Sequence, residues 1–92
     1  MQILKFISTG KVQGVYYRKH ITQAMNKEHI KGYIKNLPDG TAECVIKNDS
    51  NLEINKILDI LYTGSPKSSV ESVQMEVADE DINFSAIFEV RY

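Results

Sequence analysis

The residues of this chain best suited to chemistry are Arg18 and the stretch leading up to it, Ser8-Thr9-Gly10-Lys11-Val12-Gln13-Gly14-Val15-Tyr16-Tyr17-Arg18. An apolar run at 3–7 precedes it and a segment of helical periodicity follows, so the stretch reads as the crossing from a first strand into a first helix. The first turn of a helix has backbone N–H groups without intrahelical acceptors, and the dipole favours negative charge at that end. Gly10 and Gly14 let the main chain curl around a small ligand. Arg18 then stands at the start of the helix, where a planar guanidinium can meet two oxygens of one phosphate. The chemistry expected of such a loop is phosphate binding.

The elements that must hold this loop are marked out in order. Residues 3–8 form an apolar run with side chains for both faces, as in a strand inside its sheet. Tyr17, Ile21, Ala24, Met25 and Glu28 fall at helical spacing. Gly32 breaks that pattern, and residues 33–36 read as a short strand. Leu37-Pro38-Asp39-Gly40 is a turn, since Pro presets φ, Asp bonds back to the chain and Gly accepts a positive φ. Residues 41–47 alternate, with Ala42, Cys44 and Ile46 on one face, and complete a hairpin. Ser50 and Glu53 form a capping-box pair ahead of a second helix carrying Ile54, Ile57, Leu58 and Leu61. Gly64 and Pro66 end that helix. Residues 69–77 have strand character, Asp79-Glu80-Asp81 reads as a solvated acidic loop, and Phe84, Ala86, Phe88 and Val90 alternate as a final strand.

The order β-α-β-β-α-β with an additional strand predicts an α+β, ferredoxin-like split β-α-β sandwich: an antiparallel sheet with two helices on one face. In that arrangement the strands flanking the first helix run parallel with a third between them, so their C-terminal ends share a rim. Asn36, at the end of the second strand, is thereby expected at the mouth of the loop. Its carboxamide can both donate and accept, which suits it to hold a water molecule beside a clamped phosphate. Phosphoryl transfer to that water asks mainly for alignment and for stabilisation of spread negative charge.

Composition narrows the classes further. The 92 residues suit one domain with an ordinary core, spanning 1–92. Eleven basic against 12 acidic residues give a net charge of −1, which argues against a general nucleic-acid binder and makes any anion site local. Cys44 is the only cysteine, which excludes an intramolecular disulfide and paired-cysteine zinc sites, and fits a reducing compartment. The alternation around it makes Cys44 core filler and not a nucleophile. No apolar run is long enough for a bilayer or a signal peptide, so a cytoplasmic protein with no membrane partner is expected. His20 and His29 lack accompanying ligands at metal spacing and are expected to face solvent.

Two stretches carry a resemblance to a known family. Gly10-Lys11-Val12-Gln13-Gly14-Val15-Tyr16-Tyr17-Arg18 is similar to the phosphate loop of acylphosphatases, and Gly32-Tyr33-Ile34-Lys35-Asn36-Leu37-Pro38-Asp39-Gly40 resembles their second motif. Gly64-Ser65-Pro66-Lys67-Ser68 also looks like the family's segment after the second helix. Two departures are conservative: Tyr17 and Tyr33 stand where the family commonly has Phe and Trp, each adding a hydroxyl that needs a partner if buried.

The resemblance implies a single-domain, monomeric hydrolase that cleaves the carboxyl–phosphate bond of small acyl phosphates without metal or other cofactor. Inorganic phosphate would be its product and inhibitor. It also implies that the backbone N–H groups of Gln13, Gly14, Val15, Tyr16, Tyr17 and Arg18 bind the phosphoryl group together with the Arg18 side chain, and that Arg18 and Asn36 are catalytic, Asn36 by orienting water. The competing reading is a non-catalytic ferredoxin-like module that senses an anion, since one fold hosts many functions. Acylphosphatase-like domains also occur inside larger hydrogenase-maturation proteins, but 92 residues leave no room for the other domains.

Overall fold

The computed structural model describes residues 1–49 and 52–92. Strand β1 (Gln2–Lys11) leads to helix α1 (Tyr17–Lys27), followed by a hairpin of β2 (Gly32–Asn36) and β3 (Ala42–Lys47). Helix α2 (Ile54–Thr63), strand β4 (Ser69–Asp79) and the two-residue strand β5 (Glu89–Val90) complete the order. The sheet runs β4-β1-β3-β2-β5. Because β3 is antiparallel to both β1 and β2, those two strands are parallel and end on the same rim. This is the α+β, ferredoxin-like arrangement expected from the element order.

One face of the sheet carries the main core. Leu4, Phe6, Ile34, Cys44 and Ile46 pack there against Tyr17, Ile21 and Met25 of α1 and Ile57 and Leu61 of α2, all essentially inaccessible. Each large apolar side chain so buried contributes roughly 1.5–3 kcal/mol, which makes this face the principal source of stability. The opposite face is covered more thinly: Ile3, Tyr33 and Val45 lie under Ala78, Ile82 and Phe84. That second layer explains why β1 has apolar residues on both of its faces. Cys44 is fully buried, and burial pushes its thiol pKa up, so it stays an inert core group.

The sheet is mixed and not wholly antiparallel, because β5 runs parallel to β2, pairing Glu89 with Tyr33 and Val90 with Ile34. The alternation read from Phe84 to Val90 does not make a long strand. Phe84 packs on Tyr33 on the outer face, while Phe88 is buried in the main core, so the chain crosses from one face to the other between them. In place of a ladder partner, the Asn26 carboxamide accepts from the Phe88 N–H at 2.8 Å and donates to its carbonyl at 3.1 Å.

Other boundaries also move. β1 reaches Lys11, past a register shift between Thr9 and Gly10, so the turn into α1 begins after the first glycine. Asp79 belongs to β4 and accepts from the Met1 amino group, and Glu80 pairs with Lys5 at 2.6 Å, so the acidic run is not simply a solvated loop. Ser50 lies outside the described residues. Glu53 is the residue flanking α2 and makes no side-chain cap bond, which removes it from the third helical position that a capping box requires.

Tyr17 shows what its added hydroxyl does. The Leu61 carbonyl, 2.7 Å away, can only accept, so the phenol donates there and the Ser8 hydroxyl at 2.9 Å donates back. Burial pushes the Tyr17 pKa up to about 12, against a smaller lowering by the Ser8 bond. A phenol that resists ionisation more in the folded than in the unfolded state stabilises fully below the unfolded value, near 10. That contribution is lost as pH rises from there through about 12, a change on the order of 2–3 kcal/mol. Tyr17→Phe should therefore cost about 1–2 kcal/mol at neutral pH, through the two lost bonds, and flatten the alkaline limb. Urea denaturation of both proteins at pH 7 and pH 11.5 checks this; equal slopes with pH in the two would contradict it.

Candidate active site

The turn between β1 and α1 is built from backbone conformations that few residues adopt. Gly14 has φ 72° and Tyr16 has φ 60°, ψ 22°, both left-handed, and the helical residues begin directly afterwards. Left-handed and right-handed residues in succession point consecutive N–H groups into a common concavity. The helix start has no side-chain cap, and among the described residues no backbone N–H from Gly14 to Arg18 donates to a protein acceptor. A tyrosine held left-handed is strained by roughly 1–3 kcal/mol, so the surroundings must enforce it. His20 contributes, since its Nδ1 lies 3.0 Å from the Tyr16 carbonyl. His20 is partly exposed and His29 exposed.

Three further attachments hold the loop. Gln13 Nε2 donates to the carbonyls of Leu37 and Thr41 at 2.8 and 3.0 Å, tying the loop to the β2–β3 turn. That turn is itself closed by Asp39, whose carboxylate accepts from the Thr41 hydroxyl and N–H and is thereby held below its usual pKa. Ser65, buried after α2, donates to the Val15 carbonyl at 2.6 Å. Gly64 allows this approach: a Cβ there would run into Ser68 Oγ and the Tyr17 ring. Gln13→Ala should lower stability by about 1–2 kcal/mol, measured by urea denaturation, by releasing the two turn carbonyls. Unchanged stability would mean the bracing is dispensable.

The loop opens on a cavity of about 540 Å³. Gly14, Tyr16, Tyr17, Arg18 and Asn36 line it, so the topology brings Asn36 to the loop as expected. Gln13 and Val15 do not: the Gln13 side chain is spent on the hairpin, and Val15 is buried in the core. No carboxylate lines the cavity, whereas Arg18 and Lys19 do, which makes it locally positive in a chain of net charge −1. Arg18 has no hydrogen bond or ion pair among the described residues, and its guanidinium lies 4.8 Å from the centroid of the Tyr92 ring. Asn36 Oδ1 is shut off from solvent without a hydrogen-bond partner, which leaves the amide NH2 to meet a molecule in the cavity. Among the described residues no group of three or more His, Cys, Asp or Glu could hold a metal ion, and no helix is long and apolar enough to cross a membrane.

Residues 4–90 match the family model described as Acylphosphatase. The chain belongs to the acylphosphatase family. The acylphosphatase of Borrelia garinii subsp. bavariensis is 34% identical over 80 residues, 87% of this chain and 86% of that one. That of Hahella chejuensis is 39% identical over 66 residues, 72% and 69% of the two chains. In three dimensions the chain is similar to the crystal structure of acylphosphatase from Bacillus subtilis, with TM-score 0.83, 25% identity and complete coverage of both chains. It also shares its fold with 12% of the much longer T. kodakarensis HypF, at TM-score 0.81 and 19% identity. As an acylphosphatase the protein is an acyl phosphate hydrolase acting on a small molecule.

Within the family frame the two aromatic departures differ in what they meet. The Tyr17 hydroxyl is satisfied as described above, and the Tyr33 ring is covered by the Arg91 guanidinium at 4.2 Å. Sequence reasoning missed Ser65 and Tyr92 as neighbours of the site. Ser65 is 50 positions from the carbonyl it holds, a separation no local pattern reports.

Proposed function

We propose that the loop around Gly14–Arg18 and the Arg18 side chain hold the phosphoryl group of an acyl phosphate while Asn36 orients the attacking water. The observation that carries this reading is the state of the donors: loop N–H groups and a guanidinium that are unpaired among the described residues, beside Asn36, in a cavity with no carboxylate among its described lining. Each hydrogen bond to a charged group contributes roughly 1.5–3 kcal/mol, so a few such donors hold a small dianion at micromolar to millimolar strength.

The Asn36 NH2 donates to the water oxygen and leaves a lone pair directed at phosphorus, in line with the bond to the acyl oxygen. That bond breaks as the new one forms, the electron pair leaves on the carboxylate, and the water's protons stay on the oxygens of the product phosphate. A carboxylate is a weak base, so no strong general acid is needed and no histidine is assigned a role. The loop and Arg18 meet the charge spread over the equatorial oxygens. Gln13 braces the loop through its side chain and Val15 through its carbonyl, and Tyr16 and Tyr17 contribute through their backbone N–H groups.

The same reading takes residues 1–92 as one working domain and a monomer, with inorganic phosphate as product and competitive inhibitor. Turnover of an aryl acyl phosphate measured against increasing inorganic phosphate tests it. Competitive inhibition is expected, and noncompetitive inhibition would place the phosphate site elsewhere. The purely anion-sensing alternative has no observation of its own, and turnover in that assay would remove it.

A further inference from the structure

Arg18 is in an unusual situation for a cavity arginine: among the described residues its partner is an aromatic ring, and no carboxylate or carbonyl there uses its N–H groups. An aromatic ring attracts a guanidinium without supplying the oxygen acceptors that a carboxylate would. A carboxylate partner would have occupied those donors. Tyr92 thus contacts Arg18 without offering a hydrogen-bond acceptor that would compete with an anion for its donors.

The chain delivers Tyr92 to that position through a series of anchors. The Asn26 carboxamide clamps both backbone groups of Phe88, whose side chain is fully buried. Glu89 and Val90 then pair in parallel with Tyr33 and Ile34. The Arg91 N–H donates to the Ile34 carbonyl at 2.9 Å, and its guanidinium is held over Tyr33, by Glu89 and by the Asn83 carbonyl. Continuing that register by two residues brings Tyr92 level with Asn36, and both line the cavity with Arg18. The Tyr92 side chain itself is fully exposed, so no core requirement explains it.

We propose that Tyr92 is a positioning residue of the hydrolase, its ring holding the Arg18 guanidinium at the cavity so that the phosphoryl group meets an already ordered side chain. This rests on the reading that Arg18 grips the phosphoryl group. Inorganic phosphate is the probe, because it has no acyl part to touch the ring directly.

Tyr92→Leu should raise the inhibition constant of inorganic phosphate about two- to fivefold, the range of an exposed cation–π contact, with the melting temperature unchanged. Tyr92→Phe, which keeps the ring, should restore the wild-type constant. In an Arg18→Ala background, with phosphate affinity read by direct titration, Tyr92→Leu should add nothing. An unchanged constant in Tyr92→Leu, or the same loss with and without Arg18, overturns the positioning role and leaves the Arg18 reading standing. If Arg18→Ala itself leaves phosphate affinity unchanged, the underlying reading falls and the positioning role falls with it.

Discussion

Arg18→Ala is expected to lower kcat/KM for an aryl acyl phosphate by about 10²–10⁴-fold and to weaken inhibition by inorganic phosphate in parallel. The magnitude follows from losing two charge-assisted hydrogen bonds of roughly 1.5–3 kcal/mol each, at about 1.4 kcal/mol per tenfold. Folding should be unaffected, because among the described residues Arg18 has no hydrogen bond or ion pair to lose and its ring contact is with a fully exposed tyrosine. Circular dichroism and a thermal melt establish the fold, and steady-state kinetics the loss. Arg18→Lys should recover only part of the activity, since an ammonium keeps the charge and cannot offer two parallel donors. A fully active, folded Arg18→Ala protein would remove the guanidinium from the reaction.

Asn36→Ala should separate binding from turnover. The water-orienting reading expects kcat to fall about a hundredfold or more, the scale of misplacing a reacting group, while the inhibition constant of inorganic phosphate stays within about twofold. Stability should move the other way. Asn36 Oδ1 is buried without a partner, and an unsatisfied buried acceptor costs about 1–3 kcal/mol. Its removal, set against some lost packing, should leave the variant about 1 kcal/mol more stable, a rise of roughly 4–8 °C in Tm for a domain of this size. Such a trade is common where a polar group is kept for chemistry. Loss of phosphate inhibition together with a lowered Tm would mean that Asn36 serves the fold and the anion, not the water.

The parts of this molecule legible in the sequence are those governed by local rules. Tyr17, Ile21 and Met25 repeat at the period of a helix face, and the structure buries all three. The turn at Leu37-Pro38-Asp39-Gly40 follows from the conformational preferences of its residues, and Asp39 closes it. Asn36 could be placed at the loop because parallel strands flanking a helix must end on one rim, a consequence of topology alone.

What escaped depended on distant partners. Period-two alternation from Phe84 to Val90 looked like a strand, yet Asn26 satisfies the Phe88 backbone and draws the segment across the sheet edge. The role of the Gln13 side chain also went unread: it braces the hairpin through carbonyls 24 and 28 positions away, a separation no local pattern reports. Tyr92 reaches Arg18 only because β5 pairs in parallel with β2, a pairing that no run of two residues announces.

The most direct measurement is a titration of the ¹⁵N-labelled protein with inorganic phosphate, followed through its amide resonances. The backbone amides of Gly14 to Arg18 and the Arg18 side chain should shift together along one saturating curve, with the constant found for competitive inhibition. Shifts centred on Lys31 and Lys47 at the other rim of the sheet, with residues 14–18 unmoved, would contradict the account.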